Sequence, residues 1–168
     1  MRWVSRNGDR LGFVPPSVHL YVHIPFSHHI CPYCGFYKHT PGKLANEAFV
    51  NAILAEATPR SQEYPLVPKK IYYGGGPPSL HSPRHLAPHS RGLGDLFDLS
   101  HLGEWALEAN PATYDLAKAS HIRSLGINRI SLGVQSFQAE TLKTLGRDRS
   151  PDDAVAAVEA LKKAGLGN

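Results

Sequence analysis

Cys31 and Cys34 are the only two cysteines of this 168-residue chain, and they share one short loop in the run Tyr21-Val-His-Ile-Pro-Phe-Ser27-His-His-Ile-Cys31-Pro-Tyr-Cys34-Gly-Phe36. Cys-x-x-Cys spacing lets one tight turn offer two thiolates to a soft metal centre. Ser27 stands four residues before Cys31, where a third thiolate would complete Cys-x3-Cys-x2-Cys. Four further features could do chemistry. Gly74-Gly75-Gly76 could bring backbone amides close to a ligand that a Cβ would obstruct, or could simply make a tight turn. Glu108 offers a carboxylate, Gln135 an amide and Arg147 a guanidinium that can hold a carboxylate bidentately. Each also has a plain structural reading, as a turn cap, a strand-end partner or a surface charge.

The loop itself supports three readings. Cys31-Pro32-Tyr33-Cys34 matches the active-site tetrapeptide of glutaredoxin-like thiol oxidoreductases, where a helix starting at the motif activates the first thiol. Here Gly35 follows, and Pro41-Gly42 precedes any helical run. A zinc site could use Cys31, Cys34, His28 and His29, although adjacent histidines diverge. An iron–sulfur cluster is the third reading, since thiolates on a short loop are its usual cradle.

Elements that would position these groups follow from periodicity and punctuation. Strands are expected at Val18–His23, Lys70–Tyr73, Trp105–Ala109 and Arg129–Val134 from their apolar and β-branched content. A helix should begin near Ala45 and stop at Pro59. A poor helix follows around Pro83–Phe97, weakened by Pro88, Gly92 and Gly94. Leu116, Ala119, Ile122 and Leu125 line a third helix with Gly126 as its C′ residue. Ser150-Pro151-Asp152-Asp153 supplies an N-cap, a proline at N1 and two acids for a last helix to about Ala164. Strand and helix alternate four times, which predicts an α/β fold with a parallel sheet, doubly wound or an open barrel. The cysteine loop, the glycines, Glu108, Gln135 and Arg147 would all lie at the carboxyl ends of the strands, the functional rim of such folds. Residues 1–17 read as a loose, Pro-rich leader and residues 18–168 as one domain that ends before a fifth strand, with one sheet edge unpaired.

Composition narrows the function classes. The chain has 42% hydrophobic and 19% charged residues, ordinary for a globular domain, and lacks a membrane-length apolar run. Two cysteines make no disulfide framework, so a cytoplasmic location is expected. The formal net charge of +4 is spread along the chain without a basic run, which argues against a nucleic-acid partner. Most of the ten histidines sit beside Pro, Ser or Gly and read as solvated.

Four segments together resemble the radical S-adenosylmethionine family. They are Tyr21 to Phe36; Tyr72-Tyr-Gly-Gly-Gly-Pro-Pro-Ser-Leu80; Glu108-Ala-Asn-Pro111; and Gly126-Ile-Asn-Arg-Ile-Ser-Leu-Gly-Val-Gln-Ser-Phe137 with Leu145-Gly-Arg147. Within that family they are most similar to the branch of oxygen-independent coproporphyrinogen III oxidases and haem chaperones. The resemblance implies a partial barrel, about four βα units of an open (β/α)6 barrel, with a [4Fe–4S] cluster and S-adenosylmethionine at its top. It assigns Cys31 and Cys34 as cluster ligands and Ser27 to the missing third ligand's place. Tyr21 and Tyr33 would lie against S-adenosylmethionine, Gly75, Gly76 and Pro77 would line its methionine end, and Glu108, Gln135 and Arg147 would be its polar partners. The oxidases usually carry a further cysteine where Phe36 stands, so the resemblance points to the haem-chaperone side, with an oxidase-like enzyme of porphyrin biosynthesis as the alternative. It further implies haem or porphyrin as ligand, an electron donor and a haem-receiving protein. His23, His28 and His29 are candidate haem ligands. Ser27, together with Pro77 in place of the family's threonine, implies impaired radical chemistry.

Overall fold

The computed structural model describes residues 18–27, 30–40, 45–63, 66–76, 83–147 and 149–168. The leader, His28, His29, Pro41-Gly42 and Pro77 lie outside the described residues. Four strands, β1 (Val18–Ile24), β2 (Pro68–Gly75), β3 (Glu104–Ala109) and β4 (Arg129–Leu132), pair in parallel in the order β1-β2-β3-β4. Strand order follows chain order without reversal, so the sheet has no topological switch point and matches a sector of a barrel rather than a doubly wound sheet. Along the outer edge of β4, the Ile130 N–H donates to the carbonyl of Asn168 (3.0 Å).

The sheet's two faces differ. Val22, Ile24, Ile71, Tyr73, Trp105 and Leu107 alternate onto one face and form the core with Leu86, Leu93, Phe97, Ile122 and Ile127. The other face carries Tyr21, Tyr72, Glu108, Lys70, Glu104 and Arg129. A parallel sheet covered on both sides would read as continuous apolar runs; here the period-2 alternation leaves one polar, aromatic face. Glu104 accepts from Arg129 Nη1 at 3.1 Å and lies 3.5 Å from Lys70 Nζ, a charged row across three strands of that face.

Helices α1 (Ala45–Glu63), α2 (Pro83–Leu96) and α3 (Leu116–Ser124) connect the strands, α4 (Ala139–Thr144) and α5 (Pro151–Lys163) follow β4, and a 3-10 turn lies at Pro111–Thr113. Two expectations need correction. Pro59 does not stop α1, which continues to Glu63. The proline removes only the one bond its N–H would make to Ala55 O, and the helix continues around it; nearby, the Thr58 hydroxyl donates to Leu54 O and the Ser61 hydroxyl to Thr58 O, both at 2.8 Å. α4 was not expected, because six residues are too few to display helical periodicity. α2 forms over 14 residues despite Pro88, Gly92 and Gly94, since burial of Leu86 and Leu93 overrides local propensity. The caps fall as the sequence indicates: Ser150 and Asp153 form a reciprocal capping box, and Gly126 follows α3 at φ 93°.

Candidate functional site

The strand β1 feeds directly into the cysteine loop. The loop is closed at its base where Ser27 N–H donates to His39 O (3.1 Å) and His39 N–H donates to Pro25 O (2.8 Å). Phe26 and His39 stack there nearly parallel, with centroids 5.3 Å apart. His23 ties the far side of the loop to the sheet. A carbonyl can only accept, so His23 Nε2 donates to Tyr37 O (3.0 Å), while its Nδ1 shares a hydrogen bond with the Tyr21 hydroxyl (2.9 Å). Both ring nitrogens of His23, one of the candidate haem ligands, are thereby engaged within the chain.

Cys31 is buried, Cys34 is partly exposed, and both are free thiols; Cys34 N–H donates to Cys31 O (3.1 Å) across the turn. Burial pushes the Cys34 thiol up, but a Lys38 hydrogen bond, the Phe36 amide and the charges of Lys38 and Arg147 together hold it below its ordinary value. Arg147 arrives from the turn after α4, where its N–H donates to Leu142 O (2.8 Å). Its Nε donates to the Tyr33 hydroxyl at 2.8 Å, with the guanidinium carbon 5.9 Å from the ring centroid. A small crevice opens beside it, lined by Gly133, Val134, Ser136, Arg149 and Ser150.

The second part of the rim centres on Glu108. Tyr72 OH donates to its Oε1 (2.8 Å) and Gly75 N–H to its Oε2 (3.1 Å). Tyr21 stacks on Tyr72 with centroids 6.1 Å apart. The glycines need their identity for the chain's own sake. A Cβ on Gly76 would sit 2.0 Å from the Phe26 carbonyl oxygen, and Gly75 lies at φ 108°. Gly76 N–H donates to Ile24 O (2.6 Å). The amides of Gly75 and Gly76, read from the sequence as facing a ligand, are therefore occupied by Glu108 and Ile24.

Tyr21, Gly75 and Glu108 thus form one group, and Tyr33, Cys34 and Arg147 another. Gln135 is brought into neither. β4 ends two residues earlier than expected, and Gln135 follows at φ 67°, a left-handed conformation uncommon outside glycine. Its side chain is exposed. Sequence reasoning missed three residues. Tyr72 could have been found from its register beside Tyr21, because the two share the polar face. Lys38 and His39 carried no signal before the loop was closed.

No helix begins at the cysteine motif, where residues 31–36 form a turn and bend. The dipole that a glutaredoxin-like first thiol requires is absent, and Cys31 is the more buried of the pair. Both observations count against the thiol-oxidoreductase reading, as Gly35 and Pro41-Gly42 led the sequence to suggest. The donor set also fails to fit a three-thiolate cluster. Ser27, 6% exposed, offers a hydroxyl whose high pKa makes it a poor iron ligand, so the loop is one sulfur short. Among the described residues no group of three His, Cys, Asp or Glu side chains could hold a metal ion.

Residues 21–168 match the radical SAM superfamily, and the chain belongs to it. Among its relatives, the heme chaperone HemW of Lactococcus lactis is 36% identical over 148 residues, covering 88% of this chain and 38% of the chaperone. HemW of Escherichia coli is 35% identical over 157 residues, with 90% and 40% covered. The oxygen-independent coproporphyrinogen III oxidase of Pseudomonas aeruginosa is 34% identical over 149 residues, with 85% and 32% covered. The chain spans about two fifths of the length of the chaperones it matches. Its fold is similar to that of Escherichia coli coproporphyrinogen III oxidase (HemN), a radical SAM enzyme, with a TM-score of 0.83 and 25% identity over 91% of this chain and 36% of that one. No described helix is long and apolar enough to cross a membrane.

Proposed function

We propose that this chain is a haem-chaperone-like member of the family that binds S-adenosylmethionine at the strand-end rim and carries haem for delivery. In it, Ser27 leaves the cluster loop one thiolate short. The observation that carries the reading is Arg147, which sets a carboxylate-binding guanidinium against Tyr33 and beside Cys34. Arg147 would hold the carboxylate of S-adenosylmethionine bidentately, through the N–H groups that Tyr33 leaves free. Glu108 would accept from its ammonium or ribose hydroxyls, Tyr21 and Tyr33 would lie against it, and Gln135 would add an amide from the β4 exit. Gly75, Gly76 and Pro77 would shape the methionine end sterically. Because the donor set lacks the third thiolate, no reductive step is assigned to this chain. The haem-receiving protein and an electron donor are the partners the reading implies, in a cytoplasmic setting.

Phe36, where the oxidases usually have a cysteine, supports the chaperone side, as does the similarity to HemW. An oxidase-like fragment is the second reading, favoured by the fold similarity to HemN. Equilibrium dialysis against S-adenosylmethionine and a haem titration test the proposal. Saturable binding of both, with haem shifting its Soret band at micromolar protein, is expected. Binding of neither would overturn it, and conversion of coproporphyrinogen by the reconstituted chain would favour the oxidase.

A further inference from the structure

We propose that Tyr72 is a positioning residue that fixes the Glu108 carboxylate in one orientation for a cationic group of the ligand at the rim. The ligand named rests on the proposed binding of S-adenosylmethionine. Tyr72 and Gly75 both belong to β2, and Glu108 lies on the neighbouring strand β3. Their two donors grip different oxygens, Tyr72 OH on Oε1 and Gly75 N–H on Oε2, so the carboxylate cannot turn without breaking a bond. An ionised carboxylate has about four lone-pair sites, and two remain for an ammonium or hydroxyl donor.

Tyr72 is itself held. Tyr21 on β1 stacks on its ring, and Ser131 and Arg129 on β4 are its other polar neighbours. Burial raises the Tyr72 phenol; Ser131 acts in the opposite direction, the Glu108 carboxylate raises it further, and Arg129 opposes. The net effect keeps the proton on the tyrosine oxygen, where it is donated. Tyr21, raised by burial and by Glu108, stays protonated too. A phenylalanine at position 72 would preserve the stack and remove only the bond to Glu108, which makes the arrangement separable by mutation.

Two measurements decide the matter. In the ligand-free chain, NMR titration of labelled tyrosine rings should place the Tyr72 transition at lower pH in Glu108→Gln than in the unmodified protein. An unchanged Tyr72 transition overturns the pairing. In a binding cycle, Tyr72→Phe should weaken S-adenosylmethionine about tenfold in the unmodified chain and less than about twofold in Glu108→Gln. Equal losses in both backgrounds mean that Tyr72 does not act through Glu108 and overturn the proposal. Absence of binding by the unmodified protein overturns the ligand reading, while the tyrosine titration still judges the Tyr72–Glu108 pair.

Discussion

Arg147 and Tyr33 are 114 positions apart in sequence and joined by a 2.8 Å hydrogen bond from the guanidinium to the phenol oxygen. That bond draws the turn after α4 onto the cysteine loop and brings a cation to bear on Cys34. The polar rim is therefore built from loops that only the parallel sheet brings together.

The first prediction concerns that cation. Arg147 and Lys38 both lower the Cys34 thiol, against a burial that raises it. Arg147→Ala and Lys38→Ala should each slow alkylation of Cys34 by iodoacetamide near neutral pH, Lys38→Ala by the larger factor because it also removes a hydrogen bond. Peptide mass spectrometry at timed quenches reads the rates for Cys34 and Cys31 separately. Unchanged Cys34 rates in both variants would contradict the electrostatic account.

Gly76 should be the least replaceable of the three glycines. The Cβ of Gly76→Ala would meet the Phe26 carbonyl oxygen at 2.0 Å, backbone against backbone, with no flexible side chain to yield. The expected cost is about 2–4 kcal/mol in urea unfolding, together with loosening of the Ser27–His39 bridge. A shift below about 0.5 kcal/mol would mean the loop base is not packed as described.

His89 gives the pH dependence. It is 3% exposed, bonds the Tyr73 hydroxyl at 3.0 Å, and is pushed down to about 4 by burial, from an ordinary value of 6.5. The unfolded chain therefore binds the proton first on acidification. Stability is fully present above about pH 6.5 and falls as pH drops towards 4, by about 3 kcal/mol from this group. Denaturant melts at stepped pH should show this slope, and His89→Leu should flatten it. A slope that survives the substitution assigns the effect to other groups.

The helix caps were legible because their signals are local. Ser150, Pro151 and Asp153 act within one turn, and Gly126 needs only the residues of α3 before it. The strand-end clustering was legible from alternation alone. What stayed hidden depended on contacts between distant segments. The role of Tyr72 requires the β2–β3 register, the identity of Gly76 requires Phe26 against it, and the double engagement of His23 requires Tyr37 to fold back. α1 runs past Pro59 to Glu63 because a single lost N–H removes one bond of a 19-residue helix, a cost that the breaker rule treats as a stop. Gln135 was placed at the right strand exit, but its left-handed backbone had no sequence signal, since glutamine is not a residue that advertises a positive φ.

Under the proposed function, the strand-end rim binds S-adenosylmethionine beside a cluster loop that Ser27 leaves one thiolate short. Anaerobic reconstitution with iron and sulfide, on the unmodified chain and on Ser27→Cys, tests it most directly. The account predicts about four irons and four sulfides per chain, with thiolate-to-iron charge-transfer absorbance, in Ser27→Cys and markedly less of each in the unmodified protein. Equal and full loading of the unmodified chain, or no gain at all in Ser27→Cys, would contradict it.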